Sequence, residues 1–182
     1  MSKVYVFFAD GFEEIEGLTV VDMMRRAGAD TVMVSVSGNK TVCGAHKIRI
    51  EADELFENGD FSDADMLVLP GGMPGTLHLL EHRGLAEVLE KADESKTGIA
   101  AICAAPRVLG SLGLLKGREA VCYPGVEEHL TGADVCTDNV VTDGHITTSR
   151  GLGTAIDFSL ELISRLFGPE KAAQMAKSIV YR

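Results

Sequence analysis

The stretch Gly98-Ile99-Ala100-Ala101-Ile102-Cys103-Ala104-Ala105-Pro106-Arg107 decides how the rest of this chain is read. The apolar run Ile99–Ile102 predicts a strand buried on both faces. The small residues Ala101 and Ala105, two positions either side of Cys103, allow that strand to turn sharply into a helix. Such a bend holds a nucleophile on strained backbone with its side group exposed. A cysteine there also meets the N–H groups and dipole of a helix N-terminus, which favour the thiolate. Cys103 is therefore the candidate nucleophile; the competing reading is a buried structural thiol at a strand end.

Working outward, short apolar strands alternate with amphipathic segments. Val4–Phe8 predicts a first strand. Ile15 to Ala27 predicts a helix, with Ile15, Leu18, Val21 and Met24 at helical spacing and Gly28 as its stop. Thr31–Ser37 and Met66–Leu69 read as further strands, and Thr41–Ile50 as a small antiparallel excursion. His78 to Ala92 predicts one helix. Ala120–Tyr123 predicts a strand ending at Pro124. Val140–Val141 and Ile146–Thr148 flank Asp143-Gly144, a hairpin signal. Thr154 to Phe167 predicts a helix with a capping box of Thr154 and Asp157, stopped by Gly168, and Pro169 opens the last helix. The alternation predicts a mostly parallel sheet with helices on both faces.

Bulk properties limit the function classes. The 182 residues suit one domain spanning 1–182, with 46% apolar and 24% charged residues. A net charge of −10 argues against nucleic-acid or anionic-membrane partners. No run approaches the ~20 apolar residues of a membrane span, and Met1-Ser2-Lys3 passes directly into a strand rather than a leader peptide. The four cysteines show neither disulfide nor zinc spacing, which points to a reducing, cytoplasmic setting. No cofactor and no metal is implied.

In parallel α/β sheets ligands bind beyond the carboxyl ends of the strands. Three turns converge there: Ala9–Glu16, Pro70–Gly75 and the Cys103 bend. The N–H groups of Gly72 and Ala104 suit an oxyanion hole, and Gly71 and Gly72 permit close backbone approach; a tight turn alone also explains the glycines. One of Glu13, Glu14 and Glu16 can lean over the pocket, where exclusion of water would keep it protonated beside the sulfur. Spacing does not choose among the three, and a solvated cluster is the alternative. His78 and His82 could share a helix face, but no third metal ligand is in view. His129 and His145 are candidate bases for Cys103, without a spacing that demands either. Cys43, Cys122 and Cys136 read as structural or partly exposed thiols. Arg25 and Arg26 suit a helix C-terminus. Gly151-Leu152-Gly153-Thr154 lacks the spacing of a dinucleotide fingerprint.

Several segments together resemble the ThiJ/PfpI superfamily, and its DJ-one branch in particular. They are Ala9-Asp10-Gly11-Phe12-Glu13-Glu14-Ile15-Glu16, Val21 through Gly28, Val68-Leu69-Pro70-Gly71-Gly72, Ala100 through Pro106, and Thr148 through Thr154. The resemblance implies a flavodoxin-like sandwich and a homodimer formed partly through the first helix. It implies that Cys103 is the reactive, oxidisable thiol and Glu16 the protonated acid that hydrogen-bonds it. Gly72 and Ala104 match the facing backbone donors, and Arg25 or Arg26 would lie near the dimer interface beside the pocket. Three positions depart from the family pattern. Ala104 replaces the histidine of the protease-like branch, which argues against a peptidase. Tyr123 stands where a histidine is frequent, and Leu152 where proline is usual.

The resemblance suggests cofactor-independent glyoxalase or deglycase activity on small aldehydes, dicarbonyls or glycation adducts. The alternative is a non-enzymatic redox sensor or stress chaperone that works through oxidation of the same cysteine. A glutaminase-like or peptidase reading requires His129 or His145 within reach of Cys103. A flavin-binding module is a fourth reading.

Overall fold

The computed structural model describes residues 1–181. The main sheet contains β1 (Lys3–Phe8), β2 (Asp30–Ser35), β5 (Glu54–Leu55), β6 (Met66–Leu69), β7 (Gly98–Ile102), β10 (Val140–Asp143) and β11 (Ile146–Ser149). A separate antiparallel hairpin pairs β3 (Thr41–Cys43) with β4 (Arg49–Glu51), and β8 (Glu119–Ala120) pairs with β9 (Asp134–Val135). The helices are α1 (Glu14–Ala27), α2 (Gly75–Glu81), α3 (Arg83–Ser95), α4 (Pro106–Ser111), α5 (Ala155–Phe167) and α6 (Pro169–Ser178).

Strand order across the main sheet is β10-β11-β7-β6-β1-β2-β5, parallel throughout except for the edge strand β10. Counting only β1, β2, β6, β7 and β11, the order is that of a flavodoxin-like sheet, and the chain reverses direction across the sheet between β1 and β6. The loops after β1, β6 and β7 therefore meet at the crevice where such sheets bind ligands.

Strand alternation assigns the two faces. Val4, Val6 and Phe8 of β1 pack into one core with α1, α5 and α6. Tyr5 and Phe7 point the other way, into a core with α2, α3 and α4. Helix α1 ends as its sequence dictates. Gly28 adopts φ +96°, and the Gly28 and Ala29 N–H groups close onto the carbonyls of Arg25 and Met24.

The structure corrects four sequence expectations. The helix expected over His78–Ala92 is two helices, because His82 takes an extended conformation and its Nδ1 accepts the Leu85 N–H at 3.0 Å, capping α3. The second strand stops at Ser35. The strand expected over Ala120–Tyr123 ends at Ala120. Beyond it, the Val121 N–H donates to Thr148 Oγ1 (2.9 Å) and the Tyr123 N–H to the Cys103 carbonyl (2.8 Å), so the chain crosses the end of the main sheet instead of extending a ladder. The capping box of Thr154 and Asp157 does not form. Thr154 Oγ1 bonds Ser149 and Gly151, while Asp157 accepts from Asn139 and Tyr181. Among the described residues no helix is long and apolar enough to cross a membrane.

Leu162 of α5 is wholly buried against the sheet. Leu162→Ala is expected to cost about 2–5 kcal/mol by urea unfolding, from lost burial and an unfilled cavity; a cost below about 1 kcal/mol would contradict this packing.

Candidate active site

The three turns meet as tightly as backbone allows. Gly71 lies between Cys103 and Glu16: a Cβ there would stand 2.6 Å from Cys103 Cβ, 2.7 Å from Glu16 Oε2 and 2.9 Å from the Ile102 carbonyl. Gly72 adopts φ +93°, and a Cβ on it would strike the Glu13 nitrogen at 2.2 Å. Glycine is required at both positions for closeness, and at Gly72 for conformation as well. The Glu13 N–H donates to the Gly71 carbonyl at 2.8 Å, tying the start of α1 to the turn after β6.

Cys103 sits on the expected strained bend, with φ +65°. Two backbone bonds hold it there. Its N–H donates to the Ser149 carbonyl (2.9 Å), and its carbonyl accepts the Tyr123 N–H (2.8 Å). Ser149 is thus part of the site, a contribution that β11 makes and that side-chain chemistry does not advertise. The hydroxyls of Ser149 and Thr154 lie 2.7 Å apart and brace that turn.

The fold distinguishes the three glutamates. Glu14 is buried but turned away: its Oε1 accepts the His46 N–H at 2.8 Å, fastening the loop between β3 and β4. Glu16 is 1% exposed and lies against the thiol. Its Oε2 accepts the Gly71 N–H at 2.9 Å, while Oε1 is buried with no fixed N–H or O–H donor in reach. A carboxyl so placed keeps its proton to a higher pH than an exposed one. Burial pushes Glu16 up to about 7 and the charge of Glu13 adds to this, against the opposing bonds from Cys103 and Gly71.

Burial also pushes the Cys103 thiol up, to about 12, reinforced by the neighbouring Glu16 charge and opposed by the Ala104 and Gly72 N–H groups that bond the sulfur. Helix α4 begins at Pro106, three residues beyond the thiol, and is six residues long. The two groups titrate as a coupled pair that accommodates a single negative charge.

Other sequence candidates are placed elsewhere. Tyr123 stands at the rim, half exposed, its ring 3.2 Å from where a Gly151 Cβ would be. His145 lies beside the opposite end of β7, where Ile146 pairs with Ile99, and its Nε2 is 2.8 Å from Asp93. His129 pairs with Glu128 in a short 3-10 turn. Neither histidine interacts with the thiol, so the base that a peptidase or glutaminase requires is missing from its surroundings. The Nδ1–H of His78 donates to the Asp10 carbonyl at 2.8 Å while His82 caps α3, so they form no shared ligand face. Arg25 bonds the Thr31 carbonyl and Asp53, and Arg26 bonds Asp22. Both lie in the last turn of α1, roughly 13–15 Å along its axis from Glu16.

Glu16 ionises near 4.5 in the unfolded chain and near 7 in the fold, so its stabilising contribution is complete below 4.5 and is lost as pH rises through 7. Relative to Glu16→Gln, which does not titrate, the wild type is expected to lose roughly 3 kcal/mol of unfolding free energy over that interval. Denaturant unfolding at several pH values checks this; parallel pH profiles would contradict the buried acid.

Comparison with known proteins supplies the remaining evidence. The model of the family described as DJ-1/PfpI family matches residues 2–165. The Arabidopsis thaliana protein named DJ-1 homolog A is 40% identical over 182 residues, covering 98% of this chain. The chain spans less than half the length of that relative, 46%. A Caenorhabditis elegans protein named glutathione-independent glyoxalase DJR-1.2 is 33% identical over 169 residues, 92% of this chain and 89% of its own length. The structure described as Toxoplasma gondii DJ-1, oxidized, is 35% identical, with TM-score 0.96 and coverage of 100% of this chain and 99% of its own. With the fold, the bend at Cys103 and the extent of these matches in agreement, the chain belongs to the DJ-1/PfpI family.

Proposed function

We propose that this protein is a cysteine-dependent, cofactor-independent enzyme acting on small dicarbonyls or early glycation adducts, of the glyoxalase or deglycase type. The observation that carries the reading is the Glu16 carboxyl buried against the Cys103 thiol, with the Gly72 and Ala104 N–H groups on the sulfur. The relative named as a glutathione-independent glyoxalase supports it.

In this reading the proton of the pair moves from sulfur to Glu16, and the thiolate attacks the aldehyde carbon of a 2-oxoaldehyde. The Gly72 and Ala104 N–H groups stabilise the charge as it passes from sulfur to the substrate oxygen. Glu16 returns the sulfur's proton to that oxygen, which gives a hemithioacetal and leaves the carboxylate free. Glu16 then takes the proton from the former aldehyde carbon and returns it to the adjacent carbon, while the new hydroxyl's proton passes to the former ketone oxygen, turning the hemithioacetal into a thioester. Water releases the 2-hydroxy acid and regenerates the thiol. The sum is dicarbonyl plus water, with the aldehyde carbon oxidised and its neighbour reduced, so no external oxidant is needed. Tyr123 at the rim would shape substrate choice. The four cysteines suit a reducing, cytoplasmic compartment.

The expected result is loss of methylglyoxal with stoichiometric lactate, without glutathione or added metal. Cys103→Ala should abolish turnover, and Glu16→Gln should lower kcat by roughly 10²–10⁴-fold. No turnover by folded protein with reduced Cys103 would overturn the reading. The redox-sensor alternative has its own support: the same N–H donors and acid suit a cysteine sulfinate, and the Toxoplasma relative is described as oxidized. Selective oxidation of Cys103 by hydrogen peroxide in an inactive protein would favour it.

We also propose a homodimer through α1. Ile15 and Ile48 are half exposed and share an apolar surface with Leu18, Met23, Ile156 and Ile179. Sedimentation is expected to give a dimer for the wild type and a monomer for Ile15→Asp; a monomeric wild type at micromolar concentration would exclude this interface.

A further inference from the structure

Glu13, Glu14 and His46 come from two separate parts of the chain, and the fold brings one ligand atom from each to within 4.8 Å of the others. His46 Nδ1 lies 2.9 Å from Glu14 Oε2 and 3.6 Å from Glu13 Oε2. Ligands about 2.1 Å from a tetrahedral zinc ion stand roughly 3.4 Å from one another, so these spacings need little adjustment. We infer that Glu13, Glu14 and His46 form a site for a divalent first-row transition ion, distinct from the thiol–acid pair.

Three features of the cluster support the assignment. The Glu14 side chain is almost fully buried, at 4% exposure, and is fixed in place by the His46 and Ile48 N–H groups on Oε1, which leaves Oε2 aimed at the imidazole. The Glu13 side chain is also largely buried, at 14%, so two carboxylates are held side by side with His46 as their shared partner. His46 is 67% exposed in the single chain, so an ion can reach the cluster of a separate protomer from solvent. Two carboxylates and a neutral imidazole carry a charge of −2, which a divalent ion cancels. An ion coordinated by Nδ1 takes the place of the proton between Nδ1 and Glu14 Oε2, and the neutral ring then carries its one proton on Nε2. Mixed imidazole and carboxylate ligation suits zinc or cobalt over magnesium, and three protein ligands leave one position for water. The sequence gives no hint of this set, because more than thirty residues separate His46 from the glutamates.

Isothermal titration with zinc chloride tests the site in the Cys103→Ala protein, so that the reactive thiol cannot bind the metal. One ion per chain is expected, with the dissociation constant weakened roughly 10–100-fold by His46→Ala and by Glu13→Gln, and with no displacement by excess magnesium. Cobalt is expected to give the visible absorption of a four-coordinate ion, lost in His46→Ala. Far-UV circular dichroism establishes that both variants are folded. No binding at millimolar zinc, or binding unchanged in both variants because another thiol takes the ion, would overturn the assignment.

Discussion

Everything at this site depends on one close approach. Gly71 passes between the Cys103 Cβ and the Glu16 carboxylate with no room for a methyl group. A side chain there would push the turn after β6 away from both neighbours. The Glu16 carboxyl would lose its only fixed N–H donor, and the thiol would lose the Gly72 N–H. The flavodoxin-like strand order explains why this contact exists. The reversal between β1 and β6 opens the sheet at that place, and the loops after β1, β6 and β7 close over the opening.

That closeness sets the electrostatics. Two ionisable groups, Glu16 buried and Cys103 partly exposed, share a space supplied with three N–H donors, from Gly71, Gly72 and Ala104. The arrangement suits one negative charge and not two. A pair of that kind can pass a proton over a short distance without water, which a thiol or a carboxyl alone cannot do. The cost is carried by the strained Cys103 backbone, held by the Ser149 carbonyl and the Tyr123 N–H, and by a buried carboxyl oxygen that no fixed donor reaches.

The residues around the pair give this chain its own character. Ala104 and the distant His129 and His145 leave the thiol without an imidazole partner. Tyr123 presents a half-exposed aromatic ring at the rim, against Gly151. The loop from Gly44 to Ile48, fastened by Glu14, covers the outer side of the first turn and brings His46 to Glu13. Chemistry at the centre and ion binding at the edge thus share one short segment, Glu13–Glu16.

The sequence by itself determined the class of fold and the place of the strained bend at Cys103. Buried strands such as Met66–Leu69 and Ile99–Ile102 are local patterns, and the small residues flanking Cys103 are a local steric requirement that the backbone must obey. It also showed that Gly71 and Gly72 allow close approach, though not what approaches. Only the tertiary structure separated Glu16 from Glu13 and Glu14, because adjacent carboxylates differ in what surrounds them and not in their own chemistry. Long-range bonds to Thr148 and Cys103 ended the Ala120 strand early, whereas local bonds broke the His78–Ala92 helix at His82 and held Thr154 to Ser149 and Gly151. The pairing of Ser149 with Cys103 and of His46 with the glutamates spans long stretches of chain. Such contacts are set by how strands are ordered in the sheet, which no single segment encodes.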